Sequence, residues 1–123
     1  MMEQKCIFCH EEEALLQNEL AWARYDKYPV SPGHLLIITR RHVQSYFDST
    51  PKERLALNQL LEEAKKLLDK EYRPDGYNIG VNCGDAAGQT IMHLHIHLIP
   101  RYQGDIDNPR GGVRGVIPDK RIY

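Results

Sequence analysis

The sequence predicts an α+β domain, an antiparallel sheet with one long helix packed on one face. Three observations predict it. From Pro51 onward, leucines and alanines recur at helical spacing, with charges of both signs between them. Four short stretches, at 21–25, 34–39, 77–82 and 93–99, have the length and apolar content of strands. They fall on either side of the helix without the regular strand–helix alternation of a parallel sheet.

The elements follow in chain order. Cys6-Ile7-Phe8-Cys9 is a C-x-x-C pair near the N-terminus. Residues 11–20 have the composition of a short, weak helix. A first strand at 21–25 is followed by a proline- and glycine-bearing turn at 29–33 and a second strand at 34–39. Thr50-Pro51-Lys52-Glu53 is a capping box with proline at the first helical position. Leu57, Leu60, Leu61, Ala64, Leu67 and Leu68 then mark the buried stripe, and Pro74-Asp75-Gly76 ends the helix. A strand at 77–82 leads into the polar loop 82–90 and a last strand at 93–99. Residues 102–123 concentrate Gly, Pro and Asp and read as an irregular arm without helix. No repeat or linker divides the chain, so residues 1–123 are expected to form one domain.

Composition narrows the function classes. The 123 residues are 41% apolar and 27% charged, with a formal charge of −1. That balance argues against a general nucleic-acid coat, which would be strongly basic. The longest purely aliphatic run, Leu35 to Ile38, is far shorter than the ~20 residues of a membrane span. Residues 1–9 lack an apolar signal core. A soluble, cytoplasmic protein is expected. Three cysteines cannot all pair with one another, and such a compartment disfavours disulfides.

The stretch His93-Leu94-His95-Ile96-His97-Leu98-Ile99 is the most informative. In a strand, Leu94, Ile96 and Leu98 point into the core. His93, His95 and His97 then line the other face, ~7 Å apart in succession. Half of the six histidines lie within these five residues. Imidazoles ligate metals, act as nucleophiles and move protons near neutral pH. The loop before them, Asn82 to Thr90, holds two glycines and can turn backbone N–H groups toward an anion. Its alternative role is an ordinary connection.

The cysteine pair has the spacing of two ligands on one tetrahedral zinc. No second C-x-x-C exists, so histidine is the natural supplement, with His42 and His93 the best candidates. A redox C-x-x-C would sit at a helix start after a strand, which this one does not, and a pair of unliganded thiols is the other alternative. Cys83 reads as a free thiol.

The pattern from His93 to Ile99 resembles the signature of the histidine-triad superfamily. The resemblance extends to Asp26 through Ile38, to Gly88-Gln89-Thr90, and to Pro100-Arg101 after the triad. The N-terminal C-x-x-C and Arg40-Arg41-His42 resemble its zinc-bearing microbial branch. The resemblance implies a five-stranded antiparallel sheet per subunit. It also implies a homodimer whose two sheets join into ten strands, with the long helix at the interface.

For the site, the resemblance implies attack on the α-phosphate of a purine nucleotide. His95 would be the nucleophile, His97 would bind phosphate oxygens, and His34 would orient the triad. Asp26 would hold the ribose; Asn82, Gly88, Gln89 and Thr90 would contact phosphate. Leu20 and Trp22 would wall the base pocket. Cys6, Cys9, His42 and His93 would hold one structural zinc per subunit, and the chemistry would need no catalytic metal. Arg110 and Arg114 in the tail would either reach a polyphosphate leaving group or close a dimer. The implied activity is a nucleotide hydrolase acting on dinucleoside polyphosphates or phosphoramidates. A phosphorylase using phosphate as acceptor and a binding module with little turnover are the alternatives. Repair of adenylylated DNA ends fits poorly with the near-neutral charge.

Overall fold

The computed structural model describes residues 6–123. The first five residues, and with them most of the stretch read above as lacking a signal core, lie outside the described residues. Five strands form one antiparallel sheet: β1 (Leu16–Gln17), β2 (Ala21–Tyr25), β3 (Leu35–Thr39), β4 (Gly76–Gly80) and β5 (His95–Arg101). Their spatial order is β1-β2-β3-β5-β4. The long helix α1 (Pro51–Glu71) packs on one face.

The start of α1 is set by reciprocal capping. The Thr50 hydroxyl accepts from the Glu53 amide at 3.1 Å, and the Glu53 carboxylate accepts from the Thr50 amide at 2.9 Å. Arg41 then clamps that carboxylate with Nη2 at 2.8 Å and Nε at 3.0 Å. The buried stripe Leu57, Leu60, Ala64 and Leu68 meets Ala23, Leu35, Ile37 and Leu94, Ile96, Leu98 in one core. Tyr72 caps the helix, and Arg73 takes a φ of 50° before Pro74. Gly33, at φ 88°, lies where a Cβ would stand 3.1 Å from Leu68 and Tyr72. Glycine there lets the β2–β3 turn approach the last turns of α1.

Several expected bounds are corrected. Residues 11–20 form no helix. The Asn18 side chain accepts from the amides of Leu20 and Ala21 at 3.1 and 2.9 Å, which builds a turn between β1 and β2 instead. The C-x-x-C forms a single 3-10 turn, Ile7–Cys9. β4 closes at Gly80 rather than residue 82, and β5 begins at His95, two residues later than expected. His93 therefore precedes the strand. The tail was expected to hold no helix, yet it contains two 3-10 turns, Gly112–Val116 and Pro118–Lys120. Among the described residues, no helix is long and apolar enough to cross a membrane.

Candidate active site and metal centre

The face of the sheet opposite α1 carries a second, smaller apolar cluster of Phe8, Trp22, Leu36 and Ile38. Beside it lies a cleft of about 430 Å³ whose lining includes His95 and His97. β-pairing puts them there: His95 sits opposite Ile38, and His97 opposite Leu36. His34 ends the β2–β3 turn, where its carbonyl accepts from the Asp26 amide at 2.9 Å.

The hydrogen bonds fix each ring's tautomer. His95 Nδ1 lies 2.8 Å from the His93 carbonyl. A carbonyl only accepts, so the proton is on Nδ1 and Nε2 carries a bare lone pair. His34 Nδ1 accepts from the Val30 amide at 3.1 Å, so its proton is on Nε2. That Nε2–H donates to His97 Nδ1 at 2.9 Å, which leaves the His97 proton on Nε2. Asp26 lies 3.5 Å from His34 Nε2 and accepts from the Tyr28 amide at 2.8 Å.

Burial pushes all three imidazoles below their ordinary pKa. His97 is lowered to about 4, with burial the first cause and neighbouring His95 and His34 adding to it. Asp26 opposes the shift in each case. All three rings are neutral at neutral pH, which a nucleophilic imidazole requires.

Asp26, His34 and His97 converge closely enough to resemble a metal site. The Val30 amide speaks against that use: it occupies His34 Nδ1 and keeps the proton on Nε2, the atom a metal would need. The trio is a proton-bonded chain that orients His97.

Asn82, Gly88 and Thr90 line the cleft. Gly88 takes φ 91° to close the turn at Asp85–Ala87. Gln89 is placed differently. Its side chain is buried, accepts from the Gly84 amide at 2.9 Å and donates to the carbonyls of Gln44 and Ile91 at 2.8 and 3.1 Å. It braces the loop. The amides of Ala87, Gly88 and Gln89 also bond back within the loop.

The expected base-pocket walls are corrected. Leu20 packs on the α1 side of the sheet, and Trp22 is fully buried in the cluster with Phe8. The apolar lining comes from Ile7, Phe8, Leu36 and Ile91 instead. Arg24 also lines the cleft and was missed. The sequence signal for it is its position in β2, two residues before Asp26. Arg110 and Arg114 stack on Tyr123, at 5.5 and 4.5 Å from its ring centre, and line no part of this cleft.

Cys6, Cys9, His42 and His93 bring one ligand atom each to within 4.8 Å of one another. Sγ-to-Nδ1 separations are 3.4 Å (Cys6–His93), 3.1 Å (Cys9–His42) and 3.5 Å (Cys9–His93). Tetrahedral zinc would set them at about 3.6 Å, from Zn–S and Zn–N bonds of about 2.3 and 2.05 Å. His93 Nε2 donates to the Thr39 carbonyl at 2.7 Å, which turns Nδ1 toward the cysteines. A two-sulfur, two-nitrogen donor set of this shape fits zinc.

The HIT domain pattern matches residues 9–104. The chain belongs to the HIT family. A HIT-like protein of 16.1 kDa from Mycoplasma pneumoniae is 34% identical over 84% of this chain and 76% of its own length. An AP-4-A phosphorylase from Mycobacterium tuberculosis is 36% identical over 77% of this chain, which is 50% of that enzyme. A bis(5'-nucleosyl)-tetraphosphatase (asymmetrical) from Schizosaccharomyces pombe is 33% identical over 76% of this chain and 51% of itself. This HIT chain thus spans about half the length of those two enzymes. Among solved structures, a HIT family protein from Bacillus anthracis superposes with a TM-score of 0.76 at 33% identity, covering 81% of this chain and 75% of that one. A zinc-bound histidine triad family protein from Mycobacterium smegmatis superposes with the same score at 27% identity, over 84% and 79%.

Proposed function

We propose that this HIT protein is a nucleotide hydrolase. It releases a nucleoside monophosphate from a dinucleoside polyphosphate or a nucleoside phosphoramidate, through a nucleotidyl intermediate on His95. One observation carries this reading: His95 has a bare Nε2, a pinned Nδ1–H and a place in the lining of the cleft. The relatives named as dinucleoside polyphosphate enzymes support it.

The Nε2 lone pair of His95 forms a bond to the α-phosphorus as the bridging P–O bond breaks. From a dinucleoside polyphosphate the nucleoside polyphosphate leaves as an anion; from a phosphoramidate the P–N bond to the amine breaks instead, and the amine leaves with a proton taken from solvent. The ring keeps its Nδ1–H and becomes cationic, and the His93 carbonyl stabilises that charge. His97 donates its Nε2–H to a non-bridging oxygen, where negative charge grows in the transition state. His34 positions His97. Water then attacks phosphorus and loses a proton to solvent, the bond from phosphorus to His95 Nε2 breaks, and its electron pair returns to His95. Asp26 accepts from ribose hydroxyls, and Asn82, Gly88 and Thr90 border the phosphates while Gln89 holds their loop.

Zinc on Cys6, Cys9, His42 and His93 would be a closed structural staple. Held in this way, His93 presents its carbonyl to His95 at a fixed place. We further propose a homodimer joined through β4, the sheet edge that leaves Ile79 half exposed. That edge and α1 border one apolar groove containing Leu57, Leu61 and Val81.

A second reading, transfer to phosphate instead of water, is favoured by the phosphorylase relative. Both readings share the first step. Chromatography of products from diadenosine polyphosphates and adenosine phosphoramidate, with and without added phosphate, separates them. Release of monophosphate by wild type but not His95→Ala supports the proposal. Release of a nucleoside diphosphate only when phosphate is present would select the phosphorylase. Tight nucleotide binding without any release would select the binding module.

A further inference from the structure

Arg24 is a charged side chain that the proposed chemistry leaves unused. It lines the cleft, yet is only 4% exposed. Burying a guanidinium requires partners, and it has two: Nη2 donates to Glu13 at 2.7 Å, and Nε to the Tyr25 carbonyl at 3.2 Å. A guanidinium has five N–H donors, so two bonds leave three uncommitted, both of those on Nη1 among them. Glu13 is exposed, at 73%, and already balances the charge. The free donors therefore suit a neutral acceptor edge rather than another anion.

The register says what lies there. Arg24 sits opposite Leu36, and Leu36 opposite His97, in one row across the cleft face. Two strand spacings, ~10 Å, separate Arg24 from His97. The loop with Asn82 and Thr90 follows β4, on the far side of β5. The phosphates belong on that side. The nucleoside then extends toward β2, past Asp26, whose carboxylate repels phosphate and accepts from hydroxyls. Its base reaches Leu36 and Arg24.

We infer that Arg24 is a specificity-determining residue whose guanidinium reads the O6/N7 acceptor edge of guanine, so that the site prefers guanine over adenine nucleotides. This rests on the proposed reading of the cleft as a nucleotide site. Guanine offers two adjacent acceptors to the two-pronged donor. Adenine keeps N7 but places an amino donor against the second N–H.

The test compares guanosine, inosine and adenosine 5'-phosphoramidates on the full chain. Inosine keeps O6 and N7, so guanosine and inosine should share one kcat/KM and exceed adenosine by roughly tenfold or more. Arg24→Met should bring the guanosine-to-adenosine ratio near one. Adenosine equal to or better than guanosine, or a ratio unchanged in Arg24→Met, overturns the inference. Should that variant fail to fold, the inosine comparison on wild type still decides. Should no substrate turn over, the hydrolase reading fails separately. Calorimetric titration with GMP, IMP and AMP then reads the base preference by the same criterion.

Discussion

The two faces of the sheet use one strand in opposite ways. Toward α1, β5 and the residue before it present Leu94, Ile96 and Leu98 to a dry core. Toward the cleft, His95 and His97 are also largely removed from water, but each Nδ1 is committed to a partner and each Nε2 faces the cleft. The apolar face is held by area and shape, which tolerate exchange among similar side chains. The histidine face is held by a fixed sequence of donors and acceptors. Losing one partner there changes which nitrogen carries a proton.

Mutations on each side should therefore break different properties. The largest expected effect is on turnover. His95→Ala should lower it by several orders of magnitude while the fold, followed by circular dichroism, persists; near-normal turnover would refute the assigned nucleophile. On the helix face, Leu60→Ala removes a fully buried side chain and should cost about 2–5 kcal/mol in denaturant unfolding. A loss under about 1 kcal/mol would mean that the core collapses around the gap. Cys6→Ala should abolish stoichiometric zinc by elemental analysis and lower the melting temperature, because metal binding is coupled to folding. Zinc-free wild type with unchanged melting would remove the staple from the account.

A smaller effect is pH-dependent. His97 is lowered to about 4 in the folded protein, against about 6.5 unfolded. Between these values the unfolded chain binds more protons, so stability falls as pH drops through that window and levels off below it. Urea midpoints should fall between pH of about 7 and about 5.5, and His97→Gln should flatten the slope. A wild-type midpoint that does not move would contradict the buried neutral rings. The smallest change is Thr50→Ala, about 1 kcal/mol through loss of the cap, with turnover unaffected.

The contrast between faces also governs what could be read in advance. α1 was legible because Thr50, Pro51 and Glu53 announce its start and the leucines repeat over its full length. The alternation from His93 to Ile99 placed the two faces of β5 correctly. β1 was not legible, since Leu16–Gln17 is too short to show a period. Its neighbour Asn18 makes a turn by side-chain bonds that helical composition does not reveal. The converging histidines and the Cys6, Cys9, His42, His93 cluster came from ligand chemistry and a family likeness. The roles of Gln89 and Arg24 depend on what lies across the fold, at Gln44 and Glu13. No local pattern encodes such partners.

The most direct test of the central claim is rapid quenching of wild type with a nucleoside phosphoramidate or dinucleoside polyphosphate, followed by intact-mass and peptide mass spectrometry. The account predicts one nucleotidyl group per chain, on His95, formed and lost at rates compatible with turnover and absent from His95→Ala. Turnover with no adduct at any time point, or an adduct on another residue, would contradict it.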